Sequence, residues 1–135
     1  MKLKVGMFIR TPLGIDKIIY LRIQDEYGCN YDTQLEHNLF LNNEKDYISI
    51  DGECFGKEEI KTSYKLLGND KEPCLIEPGD YVDGEKVIEQ NDDLYIKIYN
   101  DFYDMYELCK ITSLANIKSI VTKEQFSSME YKINE

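Results

Sequence analysis

Apolar residues recur at every second position in short runs punctuated by Gly, Pro, Asn and Asp, a pattern of strands and turns. The clearest run puts Leu94, Ile96 and Ile98 on one face and Tyr95, Lys97 and Tyr99 on the other. Leu3, Val5, Met7 and Ile9 alternate more weakly, with Gly6 where a bend is tolerated. Pro12 and Gly14 then turn the chain into a second strand from Ile15 to Ile23, with Ile19, Leu21 and Ile23 on one face and Tyr20 and Arg22 on the other. Asp25 to Gly28 closes that hairpin. The pattern fades between Tyr31 and Asn43, where a strand plus loop and a helical turn are both open. It returns as a strand from Tyr47 to Ile50, ended by Asp51-Gly52, and another short strand begins near Phe55. Lys57 to Ser63 reads as one helical turn feeding a final strand.

After the polar stretch Lys65 to Pro73 the same landmarks recur. Pro78-Gly79 turns the chain, Tyr81-Val82 is a short strand, and Asp83-Gly84 is a two-residue reversal in which Gly readily takes positive φ. Val87-Ile88 continues to a turn at Asn91 to Asp93, and the alternating run already described ends at Asn100-Asp101. Tyr103 to Ile111 suits a further strand, Ser113 to Asn116 a short helical turn, and Ile117 to Val121 a closing strand. Gly6-Met7-Phe8-Ile9 aligns with Gly79-Asp80-Tyr81-Val82, and Ile60-Lys61-Thr62-Ser63 with Ile117-Lys118-Ser119-Ile120. The expectation is a mainly β protein of two SH3-like antiparallel small-barrel halves, residues 1–72 and 73–135. About 60 residues bury little core, so neither half is expected to fold alone.

The second half carries one helix signal. Thr122 can cap the N-terminus, Gln125 can complete a capping box, and Val121 can staple to Phe126. A helix from Lys123 to about Tyr131 follows, presenting Phe126, Met129 and Ile133 to the body of the protein. It would cover a barrel end or an edge strand.

Charge narrows the function classes. The net charge of −10 argues against direct nucleic-acid binding, which depends on Lys and Arg neutralising phosphates. An acidic surface instead steers in a basic protein partner. Thirteen acidic and ten basic residues give residues 1–72 a charge of −3, whereas thirteen acidic and six basic give residues 73–135 a charge of −7. Tyr81, Tyr95, Tyr99, Tyr103 and Tyr106 crowd the more acidic half. Aromatic anchors in an acidic field suit a protein-binding face. With the turn carboxylates Asp80, Asp83 and Glu85, they form the candidate binding set.

Chemistry beyond binding is poorly supplied. His37 is the lone histidine, with no spaced partner set nearby in sequence. Cys29, Cys54, Cys74 and Cys109 are far apart, without a C-x-x-C pair, and are expected as free thiols of a cytosolic protein. The acidic turns lack the order of a calcium loop, and no phosphate loop or nucleophile elbow is present. No catalytic residue, cofactor or metal site is expected, and no apolar run is long enough to span a membrane.

Three stretches carry a resemblance: Leu3-Lys4-Val5-Gly6-Met7-Phe8-Ile9-Arg10-Thr11, Gly79 to Val87, and Asn116 to Phe126. They resemble small proteins encoded by phages and prophages of clostridia and related Firmicutes. The likeness covers about half the chain and breaks off between Cys29 and Phe55. It implies a mobile-element accessory protein acting in the host cytosol, a group that includes anti-defence proteins such as CRISPR inhibitors that occupy a basic nucleic-acid channel. The leading expectation is a non-enzymatic accessory protein that binds a basic partner protein through its acidic surface, an inhibitor of a host nucleic-acid-binding defence complex being one form of it. A self-associating structural or regulatory phage protein is the second, and a small metabolite-binding protein or enzyme the third.

Overall fold

Alternation between buried and exposed positions makes strands of most of these runs, in a computed structural model that describes residues 3–24, 26, 30–37, 39–69, 71–114 and 116–129. The architecture is mainly β, with antiparallel sheets and one short helix near the C-terminus. The chain divides into two units, Met1–Leu75 and Ile76–Glu135.

The first unit runs through β1 (Phe8–Thr11), β2 (Gly14–Tyr20), β3 (Ile23–Gln24), β4 (Asn30–Tyr31), β5 (Thr33–Leu35), β6 (Phe40–Asn43), β7 (Tyr47–Ile50), β8 (Glu53–Gly56) and β9 (Lys61–Ser63). Seven of these form one sheet in the order β8-β7-β6-β5-β2-β1-β9, while β3 and β4 pair only with each other. The middle stretch that the sequence left open is therefore strand. Asp51 and Gly52 both take positive φ, which gives the β7–β8 hairpin a reversal matched to strand twist. Ile9, Ile18, Leu35, Leu41 and Ile48 are almost wholly buried and supply the core, each contributing about 1.5–3 kcal/mol by leaving water. Arg10 is also buried and donates from Nη1 to the Leu75 carbonyl at 2.8 Å.

Two expectations fail here for physical reasons. Lys4 to Met7 is a turn, not strand: Met7 N–H bonds the Lys4 carbonyl at 3.2 Å, Gly6 has φ +94°, and Val5 is exposed. On β2 the inward face is Asp16 and Ile18, whereas Ile19 is exposed. Ile19 faces out by the same period-2 alternation that buries Ile18, and a register shift between Ile18 and Tyr20 leaves Tyr20 exposed as well. Most of the Asp25–Gly28 turn lies outside the described residues, as does Cys29.

The second unit contains β10 (Tyr81–Val82), β11 (Glu85–Lys86), β12 (Ile88–Gln90), β13 (Asp93–Asn100), β14 (Met105–Lys110), β15 (Ile120–Val121) and α1 (Lys123–Met129). They make two three-stranded sheets, β11-β10-β15 and β12-β13-β14. Ile76, Val82, Val87, Ile96 and Ile111 are its buried apolar residues. The helical turn expected at Ser113–Asn116 falls earlier, at Ile111–Ser113, and the closing strand is shorter than expected. Residues beyond Met129, including Tyr131 and Ile133, lie outside the description.

The units open with the same device. Lys4-Val5-Gly6-Met7 and Glu77-Pro78-Gly79-Asp80 are turns with Gly third, at φ +94° and +95°, a position that favours Gly in a type II turn. In each, the Gly N–H and the next residue's carbonyl bond one partner: Gly6 and Met7 with Ile18, Gly79 and Asp80 with Val87, at 2.7–2.9 Å. Leu3 and Ile76, three residues before each Gly, are both buried. A 3-10 turn also precedes the strand that returns to pair with the first one, β9 on β1 and β15 on β10. The closing-strand alignment read from sequence is one residue out. Phe8 pairs Ser63 and Tyr81 pairs Val121, so Ser63 corresponds to Val121.

Candidate functional site

The carboxylates singled out from sequence separate into two kinds. Asp80 is wholly buried. Its Oδ2 accepts the Glu77 N–H at 2.7 Å and its Oδ1 accepts the Lys123 N–H at 2.9 Å, so it braces the opening turn against the start of α1. Asp83, at φ +50°, accepts the Lys118 and Ser119 N–H groups at 2.8 and 2.9 Å and holds the approach to β15. Both side chains are engaged with backbone, and Asp80 does not belong to any surface. Glu85 is exposed on β11. Tyr81 is half-buried and stacks on Phe126 of α1, ring centroids 4.7 Å apart.

The capping box of α1 is formed in both directions. Thr122 Oγ1 accepts the Gln125 N–H at 3.2 Å, and Gln125 Oε1 accepts the Thr122 N–H at 2.9 Å. Phe126 differs from expectation. It is about half exposed and its ring contact is Tyr81.

The remaining tyrosines belong to the β13–β14 hairpin. Register pairs Tyr95 with Lys110, Ile96 with Cys109, Lys97 with Leu108, Ile98 with Glu107, Tyr99 with Tyr106, and Asn100 with Met105. Ile96 is the last deeply buried residue on β13. Beyond it both faces of the ribbon are open: Ile98 and Met105 on one, Tyr99, Tyr106 and Leu108 on the other. Phe102 in the connecting loop is 86% exposed, the most open large apolar side chain among the described residues. Tyr95, nearer the base, is half-buried.

Local contacts link the residues of this tip. Tyr99 and Tyr106 meet edge to face at 5.3 Å, and Phe102 and Tyr103 do so at 4.9 Å. Such pairs add about 0.5–1.5 kcal/mol beyond area burial. The Tyr99 hydroxyl donates to Asp104. Asn100 Oδ1 accepts the Phe102 and Tyr103 N–H groups, at 3.0 and 3.3 Å, and shapes the loop. Asp101, Asp104 and Glu107 are its only ionised residues from Ile98 to Leu108, giving a local charge of −3. Of the candidate set, the fold thus gathers Tyr99, Tyr103 and Tyr106 and leaves Asp80, Tyr81, Asp83 and Glu85 in the other sheet. The sequence reading passed over Phe102, Met105 and Leu108. The signal was present in the lack of a polar face on either side of the hairpin's outer half.

His37 acquires a partner that spacing could not supply. Its Nδ1 lies 2.8 Å from Oδ1 of Asp16, a side chain that is itself buried and also accepts the Lys17 N–H. The ring is largely exposed. An acid-oriented imidazole can act as a base only beside a substrate site or nucleophile. Cys54 is exposed and Cys109 intermediate, both as free thiols, and Cys74 is intermediate in burial. Among the described residues, no three His, Cys, Asp or Glu side chains are grouped to hold a metal. No helix among them is long and apolar enough to cross a membrane. In comparison with known proteins, no family model, no curated protein and no solved structure matches the chain.

Proposed function

We propose that this protein acts by binding another protein, without chemical turnover, through the outer half of the β13–β14 hairpin. The observation that carries the reading is the tip on which Ile98, Tyr99, Phe102, Tyr103, Met105, Tyr106 and Leu108 are all exposed within eleven residues. Clustered aromatic and Met side chains are what interface centres favour, and an unpartnered cluster of this kind is otherwise a liability to solubility. The acidic residues around it suit a basic partner. Together with the resemblance to prophage accessory proteins, this makes the partner a host nucleic-acid-binding defence complex in the cytosol, inhibited by occlusion of its basic surface. Each unit is, in this reading, a small SH3-like barrel, supported by the 3-10 turn before a closing strand that returns to the first.

The test is capture from host lysate by the wild type and by Phe102→Ala/Tyr103→Ala. A protein retained by the first and lost from the second supports the reading. For that partner, Asp101→Asn and Glu107→Gln should slow association, and added salt should shrink the difference. A partner held equally well by the double alanine variant would place the binding face elsewhere.

A further inference from the structure

We infer that the free edge of β14 is a docking site for an extended basic segment of a partner, which adds to the β12-β13-β14 sheet as a fourth strand. This rests on the binding role proposed for the hairpin and specifies how the partner is held. Among the described residues, β14 is the terminal strand of its sheet, six residues long and pairing only with β13. A strand edge offers unpaired N–H and C=O groups to another chain, and such edges are normally short, covered or broken by Pro or a bulge. This one is six residues long and has no Pro, and its pairing to β13 is continuous from Met105 to Lys110, without a register shift. Backbone bonds supply affinity in strand addition, and alternate side chains supply specificity.

The side chains beside that edge favour one occupant. Glu107 shares a face with Met105, and Tyr106 and Leu108 share the other. A cationic side chain of the incoming strand fits beside Glu107, and an apolar one fits against Tyr106 and Leu108. Lys110, the one cation of β14, is already paired with Asp93 at 3.2 Å, so it opposes a basic occupant little. A second copy of this chain is disfavoured by the same charges, since each tip is −3 and each chain −10. The geometry therefore points to a segment alternating basic and apolar residues.

The probe is the capped heptapeptide Lys-Val-Lys-Val-Lys-Val-Lys, titrated into the full chain by fluorescence anisotropy. Two isomers accompany it, one N-methylated on the first two valines and one on the two inner lysines, together with a Glu-Val analogue. A docked strand turns alternate N–H groups towards its neighbour, so one methylated isomer should bind at least about tenfold more weakly while the other stays within about threefold. The Glu-Val analogue should not bind, and Glu107→Gln should weaken the parent peptide. Equal affinity of both methylated isomers, or binding of the acidic analogue, overturns the inference. So does a concentration-dependent dimer, seen by sedimentation, that excess peptide fails to dissociate. If Phe102→Ala/Tyr103→Ala loses a host partner while the parent peptide does not bind, strand addition falls and the binding role of the hairpin stands.

Discussion

The buried carboxylate of Asp80 accepts the backbone N–H of Lys123 at 2.9 Å, joining the first turn of the second unit to the start of α1 across 43 positions of sequence. The same carboxylate accepts the Glu77 N–H. Asp80→Ala leaves both donors without that acceptor in a site closed to water and should destabilise by about 2–4 kcal/mol. Asp80→Asn keeps one acceptor oxygen and should lose less. Denaturant melts in which the alanine variant matches wild type would show that α1 is not braced there.

Thr122→Ala should lower stability by about 1 kcal/mol, because Thr122 is buried and its hydroxyl accepts the Gln125 N–H. Phe126→Ala should also have an effect near 1 kcal/mol, well below that of a filled core position, since the half-exposed ring loses mainly its stack on Tyr81. A loss above about 3 kcal/mol for Phe126→Ala would mean that the ring is buried in solution.

Gly68 has φ +70°, and a Cβ built there would lie 2.5 Å from the Pro73 carbonyl oxygen. That neighbour is backbone, so it cannot swing aside as a flexible side chain can. Gly68→Ala should destabilise the first unit by about 1–3 kcal/mol. An alanine variant with an unchanged melting midpoint would show that the loop has room to rearrange.

Glu72 has its carboxyl held below the ordinary value of 4.5, chiefly because it accepts the Tyr64 N–H at 2.7 Å, with Asn69 helping. A depressed carboxyl contributes stability above its unfolded value and loses it as pH falls through the folded one. The advantage of wild type over Glu72→Gln should therefore be present at about pH 6 and fade below about 4.5. The group is exposed, so the effect is small. An advantage that grows on acidification would reverse the assignment.

How much of this was legible follows from the range of each interaction. The Asp83-Gly84 reversal, the Thr122–Gln125 box and the helical turn before β9 are local, so the residues that make them sit side by side in sequence. On β2 the alternation itself puts Gly14, Asp16 and Ile18 inward, but a buried Asp and Gly on that face hid it in the sequence behind the more apolar Ile15 and Ile19. Asp80 looked like a surface charge because Lys123, whose N–H it accepts, lies 43 positions away, and the bonds of the exposed Asp83 to Lys118 and Ser119 were hidden by separations of 35 and 36. The hairpin's alternation was visible, but period alone cannot say where the core stops. Ile96 and Ile98 are equivalent in pattern, and only one is covered.

The left-handed positions have a consequence for how the acidity of this chain can change. Among the described residues other than glycine, positive φ falls on Asp32, Asp51, Asp83, Asn91, Asp92 and Asp104. Asn tolerates this conformation as Asp does, and Asn91 already occupies it. Aspartate and asparagine codons differ by one base. Five such changes would take the net charge from −10 to −5 while keeping the residue type each turn requires. The electrostatic character of the surface can therefore drift almost independently of the fold.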